Sequence, residues 1–173
     1  MKKTLIAAVA LALTATVARA EVTDAQPHGF EVKHLVEIAA PASAVWAVLT
    51  QPSKWWASAH TWSGSAANLS LGAASGACFC ERLPNGGSAL HMTTVNAVPG
   101  QKLVLAGALG PLQNSGATGA LTFLLAEKDG RTTVTVTYDV GGYFRGGLDK
   151  IAAPVDGVLG QQVQGLKAAA EGK

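Results

Sequence analysis

The sequence has 173 residues, 13 of them Lys or Arg and 11 Asp or Glu, for a formal net charge of +2. Three of the cations, Lys2, Lys3 and Arg19, fall in the first 20 residues, and without them the balance is 10 basic to 11 acidic, net −1. A near-neutral chain with no cationic stripe argues against nucleic acid or an anionic membrane surface as partner, and the remaining 153 residues suffice for one domain with its own core.

The opening stretch, MKKTLIAAVALALTATVARA, has a positive start, an apolar run from Leu5 to Val17 and a small-x-small ending at Ala18-Arg19-Ala20. That three-part form is a secretory leader, with cleavage expected after Ala20 and a periplasmic or secreted product from Glu21 onward. No later segment approaches the about 18 apolar residues of a membrane-spanning helix, so no stable membrane insertion is expected. Residues 21–173 contain no repeat, low-complexity tract or linker and read as a single domain.

The first predicted element is a strand in GFEVKHLVEIA, where Phe30, Val32, Val36 and Ile38 alternate onto one face. Pro41 opens a short helix carrying Val45, Trp46, Val48 and Leu49, and a second short helix or turn is expected around Pro52 to Trp56. From Asn68 the pattern changes to strands and turns. Asn85-Gly86 reads as a two-residue hairpin loop, which would pair Phe79 with Met92, Cys80 with His91 and Glu81 with Leu90. Asp129-Gly130 marks a second hairpin, pairing Leu121 with Tyr138, Phe123 with Val136 and Leu125 with Val134 on an apolar face, with Thr122 and Thr137 on the other. The chain ends in a helix from about Leu148 to Ala170, with Leu148, Ile151, Val155, Leu159, Gln162 and Leu166 in one arc. Pro154, Gly157 and Gly160 should loosen it.

This order, with VEIAAPASAVWAVLTQPSKWW near the start and VDGVLGQQVQGL in the last helix, resembles the START/SRPBCC superfamily. Within it, the sequence is most similar to the activator-of-heat-shock-ATPase-like and polyketide cyclase–lipid transport branch. The resemblance implies an α+β helix-grip fold: a curved antiparallel sheet of about six to seven strands around a long C-terminal helix, with two short helices after the first strand. It also implies a hydrophobic cavity between sheet and helix that holds a small apolar molecule, a lipid, polyketide or aromatic compound, without a cofactor. The chaperone-stimulating role of some relatives belongs to the cytosol and does not suit an exported chain. Oligomeric state is not legible.

Three of the four tryptophans, Trp55, Trp56 and Trp62, lie close together beside His60, with Trp46 just upstream. Trp46, on an amphipathic helix, is expected in the core. Trp55 and Trp56 are adjacent and would not both point inward from a helix. Trp56 and Trp62 either plug the end of the sheet or line the entrance for an apolar ligand. Met92 and Tyr138 on the apolar face, Tyr143 in the Gly-rich VGGYFRGGLDK rim, and Gln162 within the helix arc join them as candidate ligand contacts. Glu81 falls among Phe79, Leu83, Leu90 and Met92. A carboxylate there either reaches water at the sheet's end or sits in the cavity, where it would be an acid/base candidate along with His60. Cys78 and Cys80 share one strand face opposite His91, a trio that could bind a soft metal, but no fourth ligand is evident and no metal is expected. Free thiols or an easily reduced bond are expected instead. The functional readings are therefore a ligand binder, a cyclase or dehydratase using Glu81 or His60, or a structural or partner-binding domain with a filled cavity.

Overall fold

The computed structural model describes residues 19–173, so all but the last two positions of the expected leader lie outside the described residues. Strand β1 (Arg19–Gln26) pairs with β2 (Gly29–Ile38), after which α1 (Ala42–Leu49) and three single-turn 3-10 helices at Pro52–Lys54, Ser58–His60 and Ala66–Asn68 leave the sheet. The chain then runs as a meander through β3 (Leu69–Leu71), β4 (Cys78–Arg82), β5 (Ser88–Val98), β6 (Lys102–Gly107), β7 (Gly116–Lys128) and β8 (Arg131–Tyr143), and ends in α2 (Asp149–Ala170). The sheet is wholly antiparallel and eight-stranded, in the order β1-β2-β8-β7-β6-β5-β4-β3.

The strand beyond the six to seven expected is β1. Its visible side chains, EVTDAQ, are exposed apart from a half-buried Val22, so it has no apolar alternation to announce it. As an edge strand it needs only backbone partners on one side. The other strands follow the apolar pattern. In β2 every second side chain from Phe30 to Ile38 is buried, and β7 and β8 pair in the expected register, Leu121 with Tyr138, Phe123 with Val136 and Leu125 with Val134. Asp129 and Gly130, at φ 53° and 72°, make the left-handed pair that this tight turn requires.

The other hairpin departs from expectation by one residue. A two-residue loop at Asn85-Gly86 would need its flanking residues to exchange both backbone bonds, and Pro84 has no N–H to give. Leu83 donates instead to the Gly87 carbonyl at 2.8 Å, and Pro84–Gly86 form a three-residue loop. Cys80 therefore faces Leu90 and Glu81 faces Ala89, rather than His91 and Leu90. Phe79 still faces Met92, because β5 takes up the difference in a bulge between these pairs. The bulge turns His91 and Met92 both inward. Glu81 keeps its place on the Phe79 face, since the pleat of β4 and not the register of its partner decides that.

α2 lies against β1, β2 and α1, burying Ala152, Leu159, Gln162, Val163 and Leu166. It stays helical across Pro154, at the cost of the backbone bond that residue cannot donate. Gly165 lets it approach closely: a Cβ there would lie 2.2 Å from the Trp55 carbonyl oxygen. At its end, Glu171 accepts from Ala39 N at 3.0 Å and binds Lys167 and Lys173, which hold its carboxyl down at about 2. No helix among the described residues is long and apolar enough to cross a membrane.

Candidate functional site

With its C-terminal end fixed in this way, the N-terminal half of α2 borders a cleft of about 280 Å3. Ile151, Pro154, Val155, Val158 and Leu159 form one wall, a stripe at helical spacing. The residues 109–112 form a second, and Trp56 with the segment 59–62 a third, while His91 closes one end. The lining is apolar apart from His60, Thr61 and His91, and it contains no Lys, Arg, Asp or Glu. A separate depression of about 470 Å3 by β1, β2 and β8 is lined by Asp24, Glu31 and Asp139 and is unsuited to an apolar guest.

Both central tryptophans turn inward. The 3-10 turn ends at Lys54, and Trp55, at φ −137° and ψ −18°, has already left it, so the helical argument against burying neighbours no longer applies. Trp55 donates its indole N–H to the Leu49 carbonyl at 3.2 Å and meets Phe123 edge-on, with ring centroids 6.4 Å apart. Trp56 donates to the His60 carbonyl at 3.0 Å and packs on Phe79 at 5.4 Å. Trp46 corrects the expectation of a core residue. It is half-buried at the periphery, with Val45 and Leu49 facing the core from α1 instead.

Trp62 stands at the cleft, 49% exposed, and a closed circuit of hydrogen bonds holds it there. Its backbone N–H donates to Glu81 Oε2 at 3.1 Å, and His91 Nε2 lies 2.9 Å from the same oxygen. Gln113 Nε2 reaches the Leu90 carbonyl and His91 Nδ1, both at 3.1 Å, while Gln113 Oε1 accepts from Trp62 Nε1 at 2.8 Å. With the Gln113 amide nitrogen donating to Nδ1, the His91 Nε2 is the ring donor directed at Glu81. The Ser63 N–H also donates to Glu81. Burial alone would raise the Glu81 carboxyl, but the donors on Ser63, Trp62 and His91 outweigh it and hold the group below the usual carboxylate range.

Of the candidate ligand-contact and acid/base residues read from the sequence, only Trp56, Trp62 and His60 line the cleft. Glu81, fully buried, lies behind His91. Met92 is core. Tyr138 is fully buried, and its hydroxyl accepts from Leu109 N at 3.2 Å, with burial pushing it up to about 12. Gln162 accepts from Ala57 N at 2.8 Å and donates to the Val158 carbonyl at 3.2 Å. Tyr143 ends β8 opposite Gly116, 71% exposed and away from the cleft. His60 Nε2 meets Gln161 Oε1 at 2.8 Å on the rim. Cys78 and Cys80 are joined in a disulfide on the opposite face of β4 from Glu81, so they do not meet His91, and no metal-holding cluster occurs among the described residues. Gln113 and the residues 109–112 went unnoticed in the sequence, because a Gly/Pro-bounded loop carries no periodicity.

A curved antiparallel sheet, a long C-terminal helix against it and a cleft between that helix and the rim loops define a helix-grip domain. The chain belongs to the polyketide cyclase/dehydrase and lipid transport family, whose model matches residues 29–171. No curated protein shows significant sequence similarity. Solved structures share the fold: a protein from Arthrobacter aurescens (16% identity, TM-score 0.61, covering 91% of this chain and 94% of that one), one from Chromobacterium violaceum (15%, 0.60, 82% and 96%), and the Aha1 dimer of Colwellia psychrerythraea (19%, 0.56, 82% and 96%).

Proposed function

We propose that this is an exported protein that binds a small, uncharged, hydrophobic molecule in the cleft between α2 and the rim loops. The observation that carries this reading is the cleft's lining: two indoles and an aliphatic helix stripe, without a charged carboxylate, ammonium or guanidinium group. Its volume of about 280 Å3 limits the guest. An engineered apolar cavity of about 150 Å3 takes benzene, so a two-ring compound or a short acyl chain suits this one, whereas a long lipid tail would protrude. His60 and Thr61 offer the guest a hydrogen bond at the rim.

Acid–base catalysis has less support. Glu81 accepts three hydrogen bonds and does not line the cleft, and both ring nitrogens of His91 are engaged. His60 borders the cleft with no carboxylate behind it, only Gln161. Native mass spectrometry on chain purified from its own host, with Trp62→Ala alongside, tests the binding reading. The expected result is a retained apolar compound, lost or weakened at least tenfold in Trp62→Ala with folding intact. A bare chain that also fails to quench or shift its tryptophan emission with naphthalene-sized probes would overturn it. N-terminal sequencing that finds Met1 on exported material would overturn leader cleavage after Ala20, and a chain retained whole in the cytoplasm would overturn the export reading.

A further inference from the structure

The disulfide on the outer face of β4 takes no part in the cleft, and its placement differs from that of a structural staple. Cys78 and Cys80 are separated by one residue, so the bond closes almost no chain and constrains the unfolded state very little. β4 is already held by β3 on one side and β5 on the other. Both cysteines are half-buried rather than sealed in the core. On the same face two residues on stands the exposed Arg82, and across from Cys80 lies Leu90, 59% exposed. The Arg82 guanidinium reaches Asn68 Oδ1 at 3.5 Å, so this strand face carries a cation as well as the half-buried cysteine pair, and a positive charge on the same face favours a thiolate leaving group.

The bond also shortens the strand. The two Cα atoms are 5.4 Å apart, against about 6.6 Å for residues two apart in an extended strand. The one-residue offset that the Pro84–Gly86 loop sets in this hairpin is taken up where β4 is contracted. The β5 bulge falls at this point, between the pairs Phe79–Met92 and Cys80–Leu90, and its extra residue is His91. The same bulge turns the His91 ring inward to Glu81.

We propose that Cys78–Cys80 is a thiol–disulfide exchange site that accepts electrons from an external dithiol, and that its opening is passed through the β5 bulge to His91 and Trp62. One thiolate of the dithiol attacks the Cys78 sulfur, and the Cys80 sulfur leaves as a thiolate on the strand face that also carries Arg82. The dithiol's second thiolate then attacks its own sulfur in the mixed disulfide and releases Cys78. Two electrons and two protons pass to the cysteine pair, and the donor departs as a cyclic disulfide. With the bond open, β4 extends and the geometry that directs His91 at Glu81 relaxes. This chemistry is independent of what the cleft binds.

The test treats the full folded chain with dithiothreitol in native buffer, labels thiols with a maleimide and counts them by intact mass. In parallel, it follows the His91 imidazole by NMR and the tryptophan emission. The expected result is two labels without denaturant, reversal by oxidised dithiothreitol, and His91 and emission shifts that the Cys78→Ser/Cys80→Ser double variant reproduces. Arg82→Gln should slow opening about threefold by destabilising the leaving thiolate. Labelling only in denaturant would overturn the exchange site, as would thiols that never close on oxidation. Native opening with an unmoved His91 ring would overturn the transmission.

Discussion

Replacing Glu81 with Gln isolates the circuit that holds Trp62. The carboxylate receives the backbone N–H groups of Trp62 and Ser63 and the ring N–H of His91, in a side chain with no exposed surface. Gln keeps the shape and one acceptor oxygen but turns an NH2 toward donors that need an acceptor. Hydrogen bonds to a charged group contribute about 1.5–3 kcal/mol each, and a buried donor left without an acceptor costs about 1–3 kcal/mol. Some relaxation of the 62–63 segment is available at the rim, so Glu81→Gln should cost about 2–4 kcal/mol at pH 7. The pH dependence follows from linkage. The folded carboxyl lies below its ordinary 4.5, so its contribution is present in full above that value and is lost as pH falls through the lower folded pKa. The stability gap between wild type and variant should therefore narrow as the pH drops below about 4.5. Urea unfolding at pH 7 and pH 3.5, with emission of the folded states, measures both effects. A variant as stable as wild type at pH 7, or a gap that does not change with pH, refutes the anchoring argument.

Within α2 the same substitution should have opposite signs at two glycines. A Cβ at Gly157 meets nothing within 4 Å, so Gly157→Ala should stabilise by up to about 1 kcal/mol through helix propensity. At Gly165 it would fall 2.2 Å from the Trp55 carbonyl oxygen, and Gly165→Ala should destabilise by about 1–3 kcal/mol in thermal melts despite the same propensity gain. Trp55→Ala should cost about 3–5 kcal/mol and Trp46→Ala distinctly less, since only the first ring is buried; denaturant midpoints at constant slope decide this. His34 is buried with Nε2 3.0 Å from Asp156 Oδ1, though not aligned as a hydrogen bond, and burial outweighs the carboxylate and lowers its pKa. The folded chain then binds fewer protons than the unfolded one, so stability should decline as pH falls below about 6.5, a slope that His34→Gln should flatten in pH-dependent melts.

The architecture was legible because its signals are periodic. Alternation in β2, β7 and β8, the Asp129-Gly130 turn and the apolar arc of α2 each specify an element by its own residues. Failures came where the cause was non-local or non-periodic. β1 is held by backbone pairing and shows no apolar face. The register at Asn85-Gly86 turned on a single missing donor at Pro84, which the composition of the loop conceals unless the bonds are counted. Trp55 and Trp56 both turn inward because the 3-10 turn before them ends at Lys54, so helical spacing does not set their directions. At the site, His60, Trp56 and Trp62 stand out as unusual residues in a loop, whereas Leu109 and Leu112, which line the cleft, and Gln113, which bonds to Trp62, are ordinary residues in a segment with no pattern of its own.

The polar residues that looked out of place among apolar neighbours share one physical role. Glu81 ties down the 62–63 segment, Tyr138 the 109–112 segment through Leu109, and Gln162 the Trp56–Ala57 segment. Each receives a backbone N–H from an irregular stretch that no sheet or helix would otherwise satisfy. A cleft walled by loops holds its shape only if those loops have fixed partners, and the regular elements supply one each: β4, β8 and α2. Glu81 and Tyr138 on the apolar face of the sheet and Gln162 on the helix therefore mark where the rim is anchored, and the cleft is walled by the residues they position, Trp56 and Trp62 and the 109–112 loop, rather than by the anchors themselves.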